Sequence, residues 1–189
     1  MSQGMILVIS GPSGVGKTEA ALALLKKSEQ YVKAVTATTR QKRETEVHGV
    51  DYYFFTKEEF KELQETGGLL EYTCYNGNFY GTPKFSVEKS YSEGKVVILV
   101  IEIEGALNIK KMYPQATMCF LNAESIEVIE NRLRNRKSDS EEAIKGRLEV
   151  AKKELEAICH FDFTVINREG KLADAVDEIN GIVQKRLGK

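Results

Sequence analysis

The segment Gly11–Thr18, GPSGVGKT, constrains this chain more than any other. It fits the pattern of a glycine, four residues, then Gly-Lys-Ser/Thr, and its setting gives the pattern force. Met5–Ile9 before it is a continuous apolar run, which reads as a strand buried in a parallel sheet. From Lys17 to Lys27, Ala21, Leu22 and Leu25 recur at helical spacing. Strand, glycine-rich turn and helix in that order build an anion cradle. Glycines let the backbone curl until several N–H groups converge. The helix that follows aims the positive end of its dipole at the same point. Gly11, Ser13, Gly14, Val15 and Gly16 are therefore expected to hold the phosphates of a nucleoside triphosphate. Lys17 is expected to reach the β- and γ-phosphates as a catalytic cation, and the Thr18 hydroxyl to ligate Mg²⁺.

Other apolar runs repeat the strand theme at Val96–Ile101, Ala116–Leu121 and Thr164–Ile166. Ser125–Arg136 and Ser140–Ile158 read as helices opened by serine, and Lys171–Leu187 as an amphipathic helix with Leu172, Val176, Ile179 and Val183 on one face. Strands alternating with helices imply a doubly wound α/β sheet. The rhythm breaks between about Thr36 and Tyr91. That stretch is rich in Tyr, Phe and Gly, with strands at Val50–Phe55 and Leu69–Tyr75 around a helix at Lys57–Thr66, and reads as an inserted mixed subdomain.

Composition supports a single domain of 189 residues, with 42% hydrophobic and 29% charged residues and a formal net charge of −1. That balance predicts a globular chain without a basic nucleic-acid surface or a polybasic membrane patch. The N-terminus shows no charged region followed by a long apolar stretch, and the run Val96–Ile101 is too short to span a bilayer, so a cytoplasmic location is expected. Cys74, Cys119 and Cys159 are expected to be buried or partly buried thiols in a reducing compartment. His48 and His160 lack ligand-like neighbours. A guanine-nucleotide switch would need further motifs, including Asn-Lys-x-Asp, that the chain does not carry; small-molecule kinases lead.

The inserted stretch concentrates groups suited to a second anion. In TATTRQKR, Arg40 and Arg43 offer planar forks to phosphate oxygens, and Tyr52 and Tyr80 add neutral hydroxyls. Taken in order, GPSGVGKT, TATTRQKR, EVHGVDYYF, LLEY, GNFYGT, a strand ending in Glu102 and Gly105, RLRNR and VIN at 165–167 resemble the guanylate kinase family over nearly the whole chain. The resemblance implies a P-loop NTPase-type sheet flanked by helices, with core segments 1–35, 92–131 and 149–189. It also implies a GMP-binding subdomain at 36–91 and a helical lid at 132–148. The implied partners are ATP with Mg²⁺ and GMP or dGMP, with no nucleic acid and no membrane, in a monomer or homodimer.

By the same resemblance Thr36, Glu71, Thr82 and Glu102 contact the acceptor base, and Arg40, Arg43, Tyr52 and Tyr80 hold its phosphate. Guanine presents N1–H and its 2-amino group side by side, so one carboxylate, Glu71, can accept both. Asn167 matches a position near the ATP base. Arg132, Arg136 and Arg147 match lid arginines that stabilise charge on the transferring phosphoryl group. The chain departs from the usual pattern at four places. Gln41 and Lys42 precede Arg43 without a proline, Thr36 replaces serine, Val100 and Glu102 stand where two aspartates are usual, and Asn122 and Ala123 replace a proline pair. Two other readings stay open: a kinase for another acceptor such as a ribose bisphosphate, and a binding module that has lost catalysis. Lys17→Ala is expected to abolish phosphoryl transfer and leave a folded protein, checked by a coupled assay beside circular dichroism.

Overall fold

A computed structural model describes residues 4–75, 77–135 and 140–188. In chain order the elements are β1 (Met5–Ser10), α1 (Lys17–Lys27), β2 (Tyr31–Lys33), β3 (Ala37–Thr38), β4 (Tyr53–Phe54), α2 (Lys57–Glu65), β5 (Leu69–Tyr75) and β6 (Asn78–Pro83). They continue with α3 (Phe85–Ser92), β7 (Val96–Val100), α4 (Ile103–Met112), β8 (Thr117–Asn122), α5 (Ile126–Asn135), α6 (Glu141–Leu155), a 3-10 turn (Glu156–His160), β9 (Phe163–Ile166) and α7 (Leu172–Arg186).

Five strands form a parallel sheet in the order β2-β7-β1-β8-β9. Each strand is apolar on both faces because helices cover both. Leu7 and Ile9 of β1 join Ala20, Ala21 and Leu24 of α1, Ile129 and Leu133 of α5, and Ile179 and Val183 of α7 in one core. Ile6 and Val8, one residue out of phase, join Val87 of α3 and Ala106 and Ile109 of α4 in the other. The alternation of β1 between two cores is the doubly wound arrangement expected from the sequence. Because β1 is the central strand, the loop after it emerges mid-sheet at the carboxyl edge, where open α/β sheets bind ligands.

A second sheet, ordered β4-β3-β6-β5, lies within the inserted stretch. Its core is small: Ala37, Phe60 and Leu69, with Tyr53, Phe55, Leu63 and Phe79 packed around them. An irregularity in β5 between Leu69 and Glu71 breaks the two-residue alternation. Leu69 then enters the small core, Leu70 enters the large one, and Glu71 is placed opposite Thr82 of β6.

Several expectations need correction. The strand read at Val50–Phe55 shrinks to Tyr53–Phe54, because Gly49 has φ 79° and the Asp51 carboxylate accepts the Val47 N–H, which turns the preceding residues. The strand expected to end at Glu102 and Gly105 ends at Val100; Glu102 is the cap of α4 and Gly105 lies in its first turn. A glycine in the first turn weakens the helical signal, and packing of Ala106 and Ile109 overrides it. The helix read to Ile158 stops at Leu155 and tightens into the 3-10 turn. Helices α3 and α4 and strands β2, β3 and β6 are additions to the sequence reading. Cys119 is buried as expected, but Cys74 and Cys159 are exposed. Ser140 does cap α6, accepting from the Ala143 N–H at 3.3 Å. No described helix is long and apolar enough to cross a membrane.

Phe60 is the largest fully buried side chain of the small core and stacks on Phe79 at 5.6 Å. Phe60→Ala is expected to cost about 3–5 kcal/mol of stability, read from urea denaturation.

Candidate active site

Three left-handed glycines shape the loop after β1: Gly11 at φ 138°, Gly14 at 88° and Gly16 at 95°. A Cβ on Gly11 would stand 2.0 Å from the Leu121 carbonyl oxygen of β8, so no other residue fits. Val15 is fully buried and anchors the loop in the core beside Leu133. From behind, the Asn167 Nδ2–H donates to the Val15 carbonyl at 2.8 Å. Arg132 donates to the Asn167 carbonyl at 2.8 Å and to the Val15 carbonyl at 3.4 Å. Asn167 and Arg132 thus brace the loop. The Lys17 ammonium donates to the carbonyls of Gly11, at 2.5 Å, and Pro12, at 3.3 Å. Thr18 follows, exposed, in the first turn of α1.

Across the cleft a cavity of about 230 Å³ is lined by Thr36, Tyr52, Glu71, Thr73, Tyr80, Gly81, Val100, Ile101 and Glu102. Five residues singled out from the sequence therefore meet here: Thr36, Tyr52, Glu71, Tyr80 and Glu102. Glu71 is only 6% exposed. The Thr82 hydroxyl donates to its Oε1 at 2.6 Å. Burial pushes the Glu71 carboxyl up to about 7; the Thr82 hydrogen bond opposes this and the Glu104 charge adds to it. Since one hydroxyl has one proton, the Thr82 hydroxyl orients Glu71 in this arrangement.

Arg40 stands beside the cavity, over the ring of Tyr52, and Arg43 is exposed. Glu46 accepts from Arg40 at two nitrogens, 2.7 and 3.0 Å, and from the Arg43 backbone N–H at 2.8 Å. The pair is partly screened from water, with side-chain exposures of 20% for Arg40 and 14% for Glu46. Hydrogen bonding to Arg40 lowers the Glu46 carboxyl from its usual range, so the pair stays charged. The Arg40 guanidinium lies over the rings of Tyr52 and Phe54 at 5.6 and 5.7 Å. Tyr52 and Tyr80 meet edge to face, ring centres 6.3 Å apart. Burial raises the Tyr52 hydroxyl, which keeps it a proton donor.

A smaller recess of about 150 Å³, sharing Glu102 with the cavity, is lined by Ser13, Glu102, Arg147, Val150 and Glu154. Glu102 lies 3.8 Å from the Lys17 ammonium. Burial raises the Glu154 carboxyl to about 7, with Lys17 opposing the rise and Glu102 adding to it. Arg136 lies outside the described residues. Among those described, no group of three His, Cys, Asp or Glu side chains is placed to hold a metal. Three contributors escape a sequence reading. Glu46 is one acid among several in RETEVHG, Gly105 reads only as the end of a strand, and Glu154 looks like one of the many charges of α6. Only the fold shows what each touches.

A glycine loop at the centre of a parallel sheet, facing a smaller sheet that carries a buried carboxylate and a braced arginine, is the layout of a nucleoside monophosphate kinase. Residues 3–186 match the guanylate kinase family. The chain is 42% identical over 182 residues to the guanylate kinase of Desulfitobacterium hafniense, covering 96% of this chain and 90% of that one. It is 46% identical over 165 residues to that of Synechocystis, covering 87% and 86%. The crystal structure of guanylate kinase from Anaplasma phagocytophilum superposes with a TM-score of 0.79 at 33% identity, covering 100% of this chain and 89% of that one. This chain belongs to the guanylate kinase family.

The Glu71 carboxyl has a testable signature. Its ordinary value is 4.5 and its folded value about 7. Between these values the folded chain holds the proton more tightly than the unfolded chain, so stability falls as pH rises through that window. The thermal stability of Glu71→Gln is expected to rise relative to wild type from about pH 4.5 to about pH 8, measured by scanning fluorimetry at matched ionic strength.

Proposed function

We propose that this protein transfers the γ-phosphate of ATP to GMP, and to dGMP, by direct in-line displacement without a covalent enzyme intermediate. The observation that carries the reading is Glu71, a desolvated carboxylate held by Thr82 in the wall of the cavity that Thr36, Tyr52 and Tyr80 share. Ionised, Glu71 offers two oxygens to the adjacent N1–H and 2-amino donors of guanine. Adenine lacks that donor pair and would leave the buried carboxylate unsatisfied, at a cost of about 1–3 kcal/mol. Thr36 supplies a hydroxyl on the same wall, and Glu102 borders the base side.

Arg40, Arg43, Tyr52 and Tyr80 hold the acceptor phosphate. Glu46 keeps Arg40 and the Arg43 backbone in place, so little ordering remains when the phosphate arrives. On the donor side the amides from Gly11 to Thr18 take the phosphates, with Ser13 and Gly14 at the open face and Asn167 bracing Gly16. Lys17 exchanges its loop carbonyls for β- and γ-oxygens. A nucleotide-borne Mg²⁺ fits this site: Thr18 offers an exposed hydroxyl at the mouth of the loop, and a hard ion with few protein ligands suits a site without a carboxylate cage. Bound there, the ion neutralises phosphate charge.

Arg132, Arg136 and Arg147 serve as the transfer-stabilising cations of a lid at 132–148, closing over the 36–91 subdomain and the core. Arg147 lines the recess between Ser13 and Glu102, which favours this role for it. A cytoplasmic location accords with the reaction.

An acceptor panel with ATP and Mg²⁺ tests the proposal: GMP, dGMP, AMP, UMP and a ribose bisphosphate. GMP turnover well above the others is expected; turnover on another acceptor and not on GMP would refute it. Glu71→Ala is expected to raise the KM for GMP at least about tenfold while leaving the KM for ATP near wild type.

A further inference from the structure

Gly105 occupies the first turn of α4, buried, with no positive φ that would demand glycine. On backbone grounds alanine should be preferred there by up to about 1 kcal/mol. The reason for glycine lies across the element boundary. A Cβ on residue 105 would stand 2.5 Å from Glu71 Oε2 and 3.1 Å from Glu71 Cδ. Real Cβ atoms do not come that close, so the carboxylate would have to move. It has little room to do so. Oε1 is held by the Thr82 hydroxyl at 2.6 Å, and Gly105 closes the opposite side.

We propose that Gly105 is a specificity-determining residue: its missing side chain makes the slot in which Glu71 presents both oxygens to the acceptor base. The inference rests on Glu71 as the base reader, as proposed above, and adds that α4 sets the angle of that carboxylate. Thr82 is the matching stop on the other side. A carboxylate rotated by a Cβ at 105 keeps its charge but cannot meet two parallel donors at once. The loss falls on the 2-amino contact as well as on N1–H, so discrimination between GMP and IMP, which lacks the 2-amino group, weakens.

The test is steady-state kinetics on wild type, Gly105→Ala, Glu71→Ala and the double variant, with GMP and IMP as acceptors. Gly105→Ala is expected to raise the KM for GMP about tenfold or more and to lower the GMP-over-IMP preference. The KM for ATP should stay unchanged, and any loss of melting temperature in Gly105→Ala should be recovered in the double variant. In the Glu71→Ala background, Gly105→Ala should add no further loss, because the carboxylate it displaces is gone. A wild-type KM in Gly105→Ala with a raised KM in Glu71→Ala overturns the role of Gly105 and leaves the Glu71 reading standing. Wild-type KM values in both variants overturn the Glu71 reading itself. Unfolding of Gly105→Ala that persists in the double variant also overturns the inference, since removing the carboxylate clears the space.

Discussion

At Gly11 the main chain turns off β1 so close to the β8 backbone that only a hydrogen atom fits between residue 11 and the Leu121 carbonyl. Because β1 is the middle strand, this contact fixes where the loop opens and which way α1 departs. Val15, sunk into the core, holds the far side of the loop. Asn167 and Arg132 then take its outward carbonyl, and Gly16 is the only residue type that leaves space for the Asn167 amide, 2.7 Å from a would-be Cβ. The loop is thus braced by the ends of β8 and β9 and by α5. The bracing supports an anion site whose amides are oriented before any phosphate binds, the condition under which backbone dipoles act without a reorganisation cost.

The facing side is built differently. Its sheet is small and its apolar core holds few residues, so polar contacts do more of the positioning. Glu46 ties Arg40 and the Arg43 backbone together, while Tyr52 and Phe54 sit beneath the guanidinium. Glu71 is the opposite case, a carboxylate with no ion-pair partner among the described residues, held by a hydroxyl on one side and by the absence of a side chain on the other. Desolvating it costs stability, and the cost is retained where an incoming ligand with paired donors can offset it.

Much of this was legible in the sequence. The loop and α1 follow from local residue types, since glycine, lysine and strand-then-helix order carry their own geometry. Four of the five core strands followed from apolar runs, to within a residue or two; the three-residue edge strand β2 did not. The rest depended on contacts between distant segments. Two-residue strands such as β3 and β4 have no periodicity to detect, and they exist because β6 gives β3 a partner and β3 in turn pairs with β4. The turn at Gly49 interrupted a run of aromatic residues that otherwise resembles a strand. The parts played by Gly105 and Glu46 could not be read, because their importance is the position of another residue's carboxylate or guanidinium. Arg132 was placed by family pattern in the lid, and the fold shows its side chain bonded to the carbonyls of Val15 and Asn167.

The unusual pair at Val100 and Glu102 also finds a physical account. Val100 packs against the larger apolar core and lines the cavity wall, so a carboxylate there would replace an apolar contact. Glu102 stands just beyond the strand, 56% exposed and 3.8 Å from Lys17, which is 12% exposed. A contact that long and that open to water is heavily screened. The ammonium therefore leans on two loop carbonyls, and no tight ion pair has to be broken when it turns to a phosphate. A fully buried Lys–Glu pair at the same place would lock Lys17 away from its target, because separating buried charges is costly. With an exposed glutamate beside it, the lysine keeps its freedom to change partners, which is what the proposed contact with a bound phosphate asks of it.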